Sequence, residues 1–145
     1  VTAYSERLTP SPATLLAVGL VAPILFLILF LINLPLAIGS ALGVYALLVI
    51  ALYVTAPVIS VVDGQFRAGR ASMPLSVVGE VAGFRREEAF RERGQNLDAR
   101  AWLCLRGWID PVVRVQVVDP EDPTPYWLVS TRNPERLVAA LGSAD

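Results

Sequence analysis

The sequence predicts an α+β protein: an N-terminal two-helix transmembrane hairpin, then a small antiparallel β domain with a C-terminal helix. Three observations carry this expectation. Residues 8 to 62 contain no charged side chain, so the 12 arginines and 13 acidic residues all lie outside that run. Beyond Asp63, short stretches alternate apolar and polar residues between Gly and Pro turn signals. The last stretch changes to helical cues, with Asn133-Pro134-Glu135 leading into an apolar RLVAAL segment and Gly142. A partition this sharp excludes a single soluble globule.

Residues 1–11 are expected as a juxtamembrane segment and residues 12–57 as the hairpin. Pro12 to Ile32 would make about 31 Å of helix and Leu36 to Pro57 about 33 Å, each enough for one bilayer crossing. Asn33, Leu34 and Pro35 form the turn between them. One continuous helix would overshoot a bilayer twofold. A cleaved signal peptide fits poorly, because the apolar stretch is too long and a second span follows at once. Ser11-Pro12 is a good helix start. Pro23 lies mid-span, leaves the Gly19 carbonyl without its amide donor and predicts a kink.

The second span carries Gly39-Ser40-Ala41-Leu42-Gly43, a small-residue face that lets another backbone approach. Gly19 and Ala22 are candidates for the facing surface, with packing inside the hairpin or against a partner subunit as the two readings. Neither span contains an ionisable Asp, Glu, Arg, Lys or His, so a proton relay or coupled transporter is not expected and an anchor is. Arg7 precedes the first span, Arg67 and Arg70 follow the second, and the turn has no charge. The positive-inside rule therefore places both termini and the β domain on the cytoplasmic side of the membrane.

Residues 58–145 form the expected cytoplasmic domain. Val58 to Val62 continues directly from the second span, Asp63-Gly64 marks a hairpin turn, and Gln65 to Ala68 returns. Pro74 to Phe84 reads as a strand with a bulge or close approach at Gly79. Arg85 to Arg93 reads as a short solvated helix or a loop, with Glu87 and Arg91 at i,i+4 spacing. Leu97 to Trp108 alternates from Ala99 onward, which would put Ala99, Ala101, Leu103 and Leu105 on one side and Arg100, Trp102, Cys104 and Arg106 on the other. Cys104 is then a small packing residue or a half-exposed thiol. Val112 to Val118 and Tyr126 to Thr131 are the remaining strands, and a helix covers about 134–141. A pleckstrin-homology-like layout or partly open barrel fits this order. A three- or four-stranded sheet with a packed helix is the alternative.

Composition excludes much chemistry. There is no His and no Lys, and Cys104 is the sole cysteine, so the usual neutral-pH base, Schiff-base chemistry and thiolate cages are all missing. No metal, cofactor or catalytic residue is expected. The formal net charge of −1 argues against a nucleic-acid partner. Asp119, Glu121 and Asp122 sit among prolines and read as a stiff turn, while Ser130 and Thr131 have no base to activate them. Arg85, Arg86, Arg91 and Arg93 interleave with Glu87, Glu88 and Glu92, which cancels most of a phosphate-attracting field. Arg100, Trp102, Trp108, Tyr126, Trp127 and Arg132 are the candidates for partner or ligand contact, since aromatics and arginine dominate interface hot spots. The competing reading is a compact aromatic core.

The opening Tyr4-Ser5-Glu6-Arg7-Leu8, the two spans, Asp98-Ala99-Arg100-Ala101 and Leu105-Arg106-Gly107-Trp108 together resemble a family of small actinobacterial membrane proteins that share a domain of unknown function. The segment Asp119 to Arg132 (DPEDPTPYWLVSTR) is the most specific part of the likeness. The resemblance implies an integral membrane protein and brings no activity, cofactor or catalytic residue with it. The functional expectation is a non-catalytic accessory or assembly subunit of a larger membrane complex, its partners being other integral membrane subunits and the lipid bilayer. A surface module for a lipid headgroup or cytosolic ligand, and a small homo-oligomeric membrane protein, are the alternatives.

Overall fold

A computed structural model describes residues 2–142 of the chain. It contains two compact units, one of Thr9–Ala56 and one of Val1–Leu8 with Pro57–Asp145. The helical unit is thus an insertion in the β unit.

Within the helical unit, α1 (Pro12–Gly19) starts at Ser11, whose hydroxyl accepts the Thr14 amide at 3.2 Å. Pro12 holds the first position, where a missing amide costs nothing. The α-helical ladder breaks at Leu20, whose amide turns to the Ala17 carbonyl at 3.3 Å, and α2 (Val21–Phe30) follows. The interruption expected from Pro23 therefore falls one turn before it, where the Gly19 carbonyl lacks a donor. Asn33 caps α3 (Leu34–Val54), its Oδ1 accepting the Leu36 amide at 2.9 Å. This helix starts two residues earlier than expected, because Pro35 is well suited to a first turn.

The two arms, α1–α2 and α3, pack together, burying Ala37 and Ala41. Their outward faces keep large apolar side chains exposed, Leu31 at 84%. Pro12–Phe30 and Leu34–Val54 are long and apolar enough to cross a membrane by length and composition.

In the β unit, β1 (Thr2–Arg7), β2 (Val58–Val62), β3 (Gln65–Ala68) and β4 (Ala71–Pro74) form an antiparallel sheet in that order. Within the segment expected to be juxtamembrane, Thr2–Arg7 thus forms a strand: Arg7 lies opposite Val58 and Glu6 opposite Ile59. The ladder extends to the base of the insertion, where the Leu8 amide donates to the Pro57 carbonyl at 2.9 Å. The β2–β3 turn is the expected Asp63-Gly64 pair, with φ of 49° and 74°. Positive φ at both central residues matches the strand twist and favours glycine at the second.

The second sheet runs β5 (Val78–Phe84), β7 (Val112–Val117), β8 (Tyr126–Ser130), β6 (Trp102–Cys104). It is mixed rather than antiparallel throughout, since β6 pairs parallel with β8. A strand from Pro74 does not form, because a 3-10 turn at Leu75–Val77 intervenes. The Ala99-to-Leu105 alternation also yields only a three-residue strand, and Leu103 faces outward while Cys104 is buried. Tertiary packing of Trp102 and Cys104 outweighs the apolar periodicity of the small alanines. Helix α4 (Arg86–Arg93) follows β5, and α5 (Pro134–Gly142) ends the described chain.

The main core joins both sheets and α5: Leu8, Ile59 and Phe66 meet Val113, Val115, Trp127 and Val129, with Leu137 and Leu141 from the helix. The Phe66 and Trp127 rings lie 5.7 Å apart across it. Burying one such large side chain contributes about 1.5–3 kcal/mol. On the opposite face of the second sheet, Val112 and Leu128 pack with Ala89 of α4, beside Phe84, Leu97, Leu105 and Tyr126.

Candidate functional site

Period-two geometry puts Tyr4 and Glu6 on one face of β1, and the fold brings them to the β8–α5 junction. The Tyr4 hydroxyl donates to Glu6 Oε2 at 2.6 Å, and the Thr131 hydroxyl donates to the same oxygen at 2.5 Å. The two hydroxyl oxygens are 2.8 Å apart. The Arg132 amide reaches Glu6 Oε1 at 3.1 Å, and its guanidinium lies 3.6 Å from that oxygen. Burial first, then the Glu6 carboxylate beside it, pushes the Tyr4 phenol up to about 12. Thr131 is fully buried, so a substrate has no access to its oxygen. The cluster works as a polar strut between the first strand and the end of the last.

A second buried carboxylate, Glu92 on α4, accepts Asn96 Nδ2 at 2.8 Å and Arg114 Nη1 at 3.0 Å. The Arg114 guanidinium lies 5.3 Å from the Phe84 ring centroid and 5.8 Å from that of Tyr126. Glu92 is only 5% exposed. Burying a carboxylate is tolerable only with such partners.

Each contact candidate has a definite place. Arg100 forks onto Asp98 with bonds of 2.9 and 3.2 Å. The Arg100 side chain and then its amide hold the Asp98 carboxyl down to about 2. The Trp102 and Trp127 rings meet at a tilt of 38° with centroids 4.7 Å apart, and Trp127 is buried. Trp108 packs against the same core, with its Nε1 buried and without a hydrogen-bond partner among the described residues. The Tyr126 hydroxyl accepts the Asp98 amide at 2.8 Å, tying the 94–101 loop to β8. Arg132 lies with Glu6, so Arg100 and Arg132 serve different clusters. Cys104 is buried, and burial raises its thiol pKa.

Asp119 and Asp122 cap their own turn, accepting the Glu121 and Thr124 amides at 3.0 and 2.8 Å. Ser130 Oγ accepts the Arg106 amide at 3.0 Å. Among the described residues no group of three His, Cys, Asp or Glu side chains could hold a metal ion.

In the helical unit, Gly19 lies against Tyr45, with the ring 3.6 Å from where a Cβ would stand. Ala22 is half-buried. A Cβ at Gly39 or Gly43 would meet nothing within 4 Å, so these glycines leave an open surface. Sequence reasoning does not single out Glu6, Glu92 or Arg114 as site residues. The pairing of a lone charge with partners more than 20 residues away leaves no local signal.

No curated protein and no solved structure matches this chain. A family model described as "Protein of unknown function (DUF3093)" matches residues 3–141. The match runs from β1 to α5 and takes in the inserted helices as well as both sheets, and the chain therefore belongs to the DUF3093 family of proteins of unknown function.

Proposed function

We propose that this chain is a two-span integral membrane protein of an actinobacterial cytoplasmic membrane, serving as a non-catalytic accessory or assembly subunit of a larger complex. The observation that carries the reading is the open small-residue surface of α3. Internal packing of the helical unit uses Ala37 and Ala41, whereas a methyl group placed on Gly39 or Gly43 would have no neighbour within 4 Å. In lipid, close backbone approach over such a surface is a main source of helix association. The charge-free arms and their exposed apolar faces support the membrane reading. Arg7, Arg67 and Arg70 flank the arms and support cytoplasmic placement of both termini and of the β unit. Two sheets with a C-terminal helix also suit a pleckstrin-homology-like layout.

Purification from native membranes in gentle detergent, with native mass determination, tests the proposal. A stoichiometric membrane-protein partner is the expected result. A monomer carrying only lipid, or a homo-oligomer, would overturn it.

A further inference from the structure

The outer face of the second sheet is covered by α4 at one end only. Beyond that cover lies a cavity of about 240 Å³ lined by Glu80, Ala82, Arg114, Gln116, Pro125 and Tyr126. This is below the ~300 Å³ at which drug-sized pockets begin, so it suits a ligand of few heavy atoms.

Its charged groups are placed by identifiable local structure. The β5–β7 register slips between Val78 and Val81, leaving Gly79 and Glu80 opposite Gln116. Gly79 permits this, since a Cβ there would stand 2.7 Å from Val118 Cγ1. The Glu80 amide then donates to Gln116 Oε1 at 3.2 Å. A bulge of this kind re-aims a side chain, and here it puts Glu80 on the cavity wall beside Ala82, the register partner of Arg114. No ion pair joins Glu80 to Arg114, whose carboxylate partner is Glu92.

Arg114 is held by one edge alone. Its Nη1 is bound to Glu92 and its plane is flanked by Phe84 and Tyr126, while its other donors have no protein acceptor among the described residues. The Glu80 carboxylate likewise has no hydrogen-bond donor or ion-pair partner among them. One guanidinium and two carboxylates, Glu80 and Glu92, leave the neighbourhood with one negative charge in excess. A simple anion is therefore repelled overall, and a simple cation meets the guanidinium. A molecule with both charges matches both ends.

We propose that this cavity is a binding site for a small zwitterion, its anionic group on the free edge of Arg114 and its ammonium on Glu80. The site goes beyond the subunit reading and does not depend on it. The chemistry is shared by free glycerophosphoethanolamine-like solutes and by the headgroup of a zwitterionic phospholipid.

The test uses the full chain in nanodiscs of phosphatidylglycerol, following the ¹³C-methyl signal of Ala82. Glycerophosphoethanolamine should shift this signal saturably, inorganic phosphate at equal concentration should not, and Glu80→Gln should weaken the binding at least about tenfold through loss of one charge-assisted contact. Glu80 is exposed, so the variant should keep the spectrum of the folded domain. A shift produced by phosphatidylethanolamine in the nanodisc, without added solute, identifies the lipid as the source; a response to the solute alone identifies a soluble ligand. No response to either, or an equal response to phosphate and to the Glu80→Gln protein, would overturn the site. Loss of a co-purifying subunit leaves these readings unchanged, so the two proposals fail separately.

Discussion

The phenol oxygen of Tyr4 lies 2.8 Å from the hydroxyl oxygen of Thr131, so the first strand is fastened to the segment that follows the last. Both oxygens converge on Glu6, which also holds the Arg132 amide. Thr131→Val keeps the shape and removes the hydroxyl, leaving a largely buried carboxylate one donor short. The full chain in detergent should lose about 1–3 kcal/mol of stability in chemical or thermal melts. An unchanged melt would show that the strut carries no load.

Tyr4 should titrate late. Its folded pKa, raised to about 12 from 10.0, means that the fold favours the neutral phenol. The associated stability is fully present below pH 10 and is lost as pH rises towards 12. Phenolate absorbance should therefore show a late step near pH 12, and Tyr4→Phe should remove it. Ionisation of Tyr4 at an ordinary tyrosine pKa would contradict its burial.

Removing Arg114 should cost more than its partly exposed position suggests. Arg114→Leu strands the Glu92 carboxylate, which has 6% of its side chain exposed, and should destabilise the β unit by ~2–4 kcal/mol at neutral pH. Adding Glu92→Leu should restore much of the loss, because the uncompensated charge is then gone too. Additive losses in the double variant would rule out coupling between the pair.

Phe66→Ala opens a hole between the sheets, against Trp127. A loss of about 3–5 kcal/mol is expected in denaturant melts, with a red shift in tryptophan emission as the core loosens. A loss below about 1 kcal/mol would mean that the core collapses to fill the space.

Gly39→Leu with Gly43→Leu separates internal packing from partner packing. A Cβ at either position meets nothing within 4 Å and opens on free space, so the melt of the isolated chain should be unchanged within about 0.5 kcal/mol. Under the proposed function, co-purification of the partner should be lost. Retention of the partner would move the interface elsewhere.

The parts legible in the sequence are those whose signal is local. The charge-free arms, the Asp63-Gly64 turn, the bulge at Gly79, the alternation of Val112 to Val117 and the Asn133-Pro134 helix start all depend on residues within a few positions of one another. β1 is illegible because Thr2–Arg7 has one buried side chain, Tyr4, and finds its partner strand only after the helical insertion. The parallel pairing of β6 with β8 is hidden for the same reason, since periodicity reports which side a residue faces and not which strand lies beside it. In β6 even the side is misleading, because Trp102 and Cys104 face inward while Leu103 remains 44% exposed. At the candidate sites, Arg132 is visible as an arginine of interest, but Glu6 stands beside Arg7 as one more flanking charge until the fold carries it to Thr131.

The placement of the helices between β1 and β2 also governs the order in which the protein is made. In synthesis from the N-terminal side, Thr2–Arg7 precedes both helices, yet its ladder partners from Val58 onward follow only after them. The two apolar arms can pair as neighbours as soon as the second is complete, because their contacts are close in sequence. The first strand must wait, unpaired, and its strut to Thr131 cannot close until the last strand has been made. The β unit is therefore completed late, when Thr131 reaches the first strand, and a stall between Val54 and Thr131 leaves a finished hairpin and an unclosed sheet.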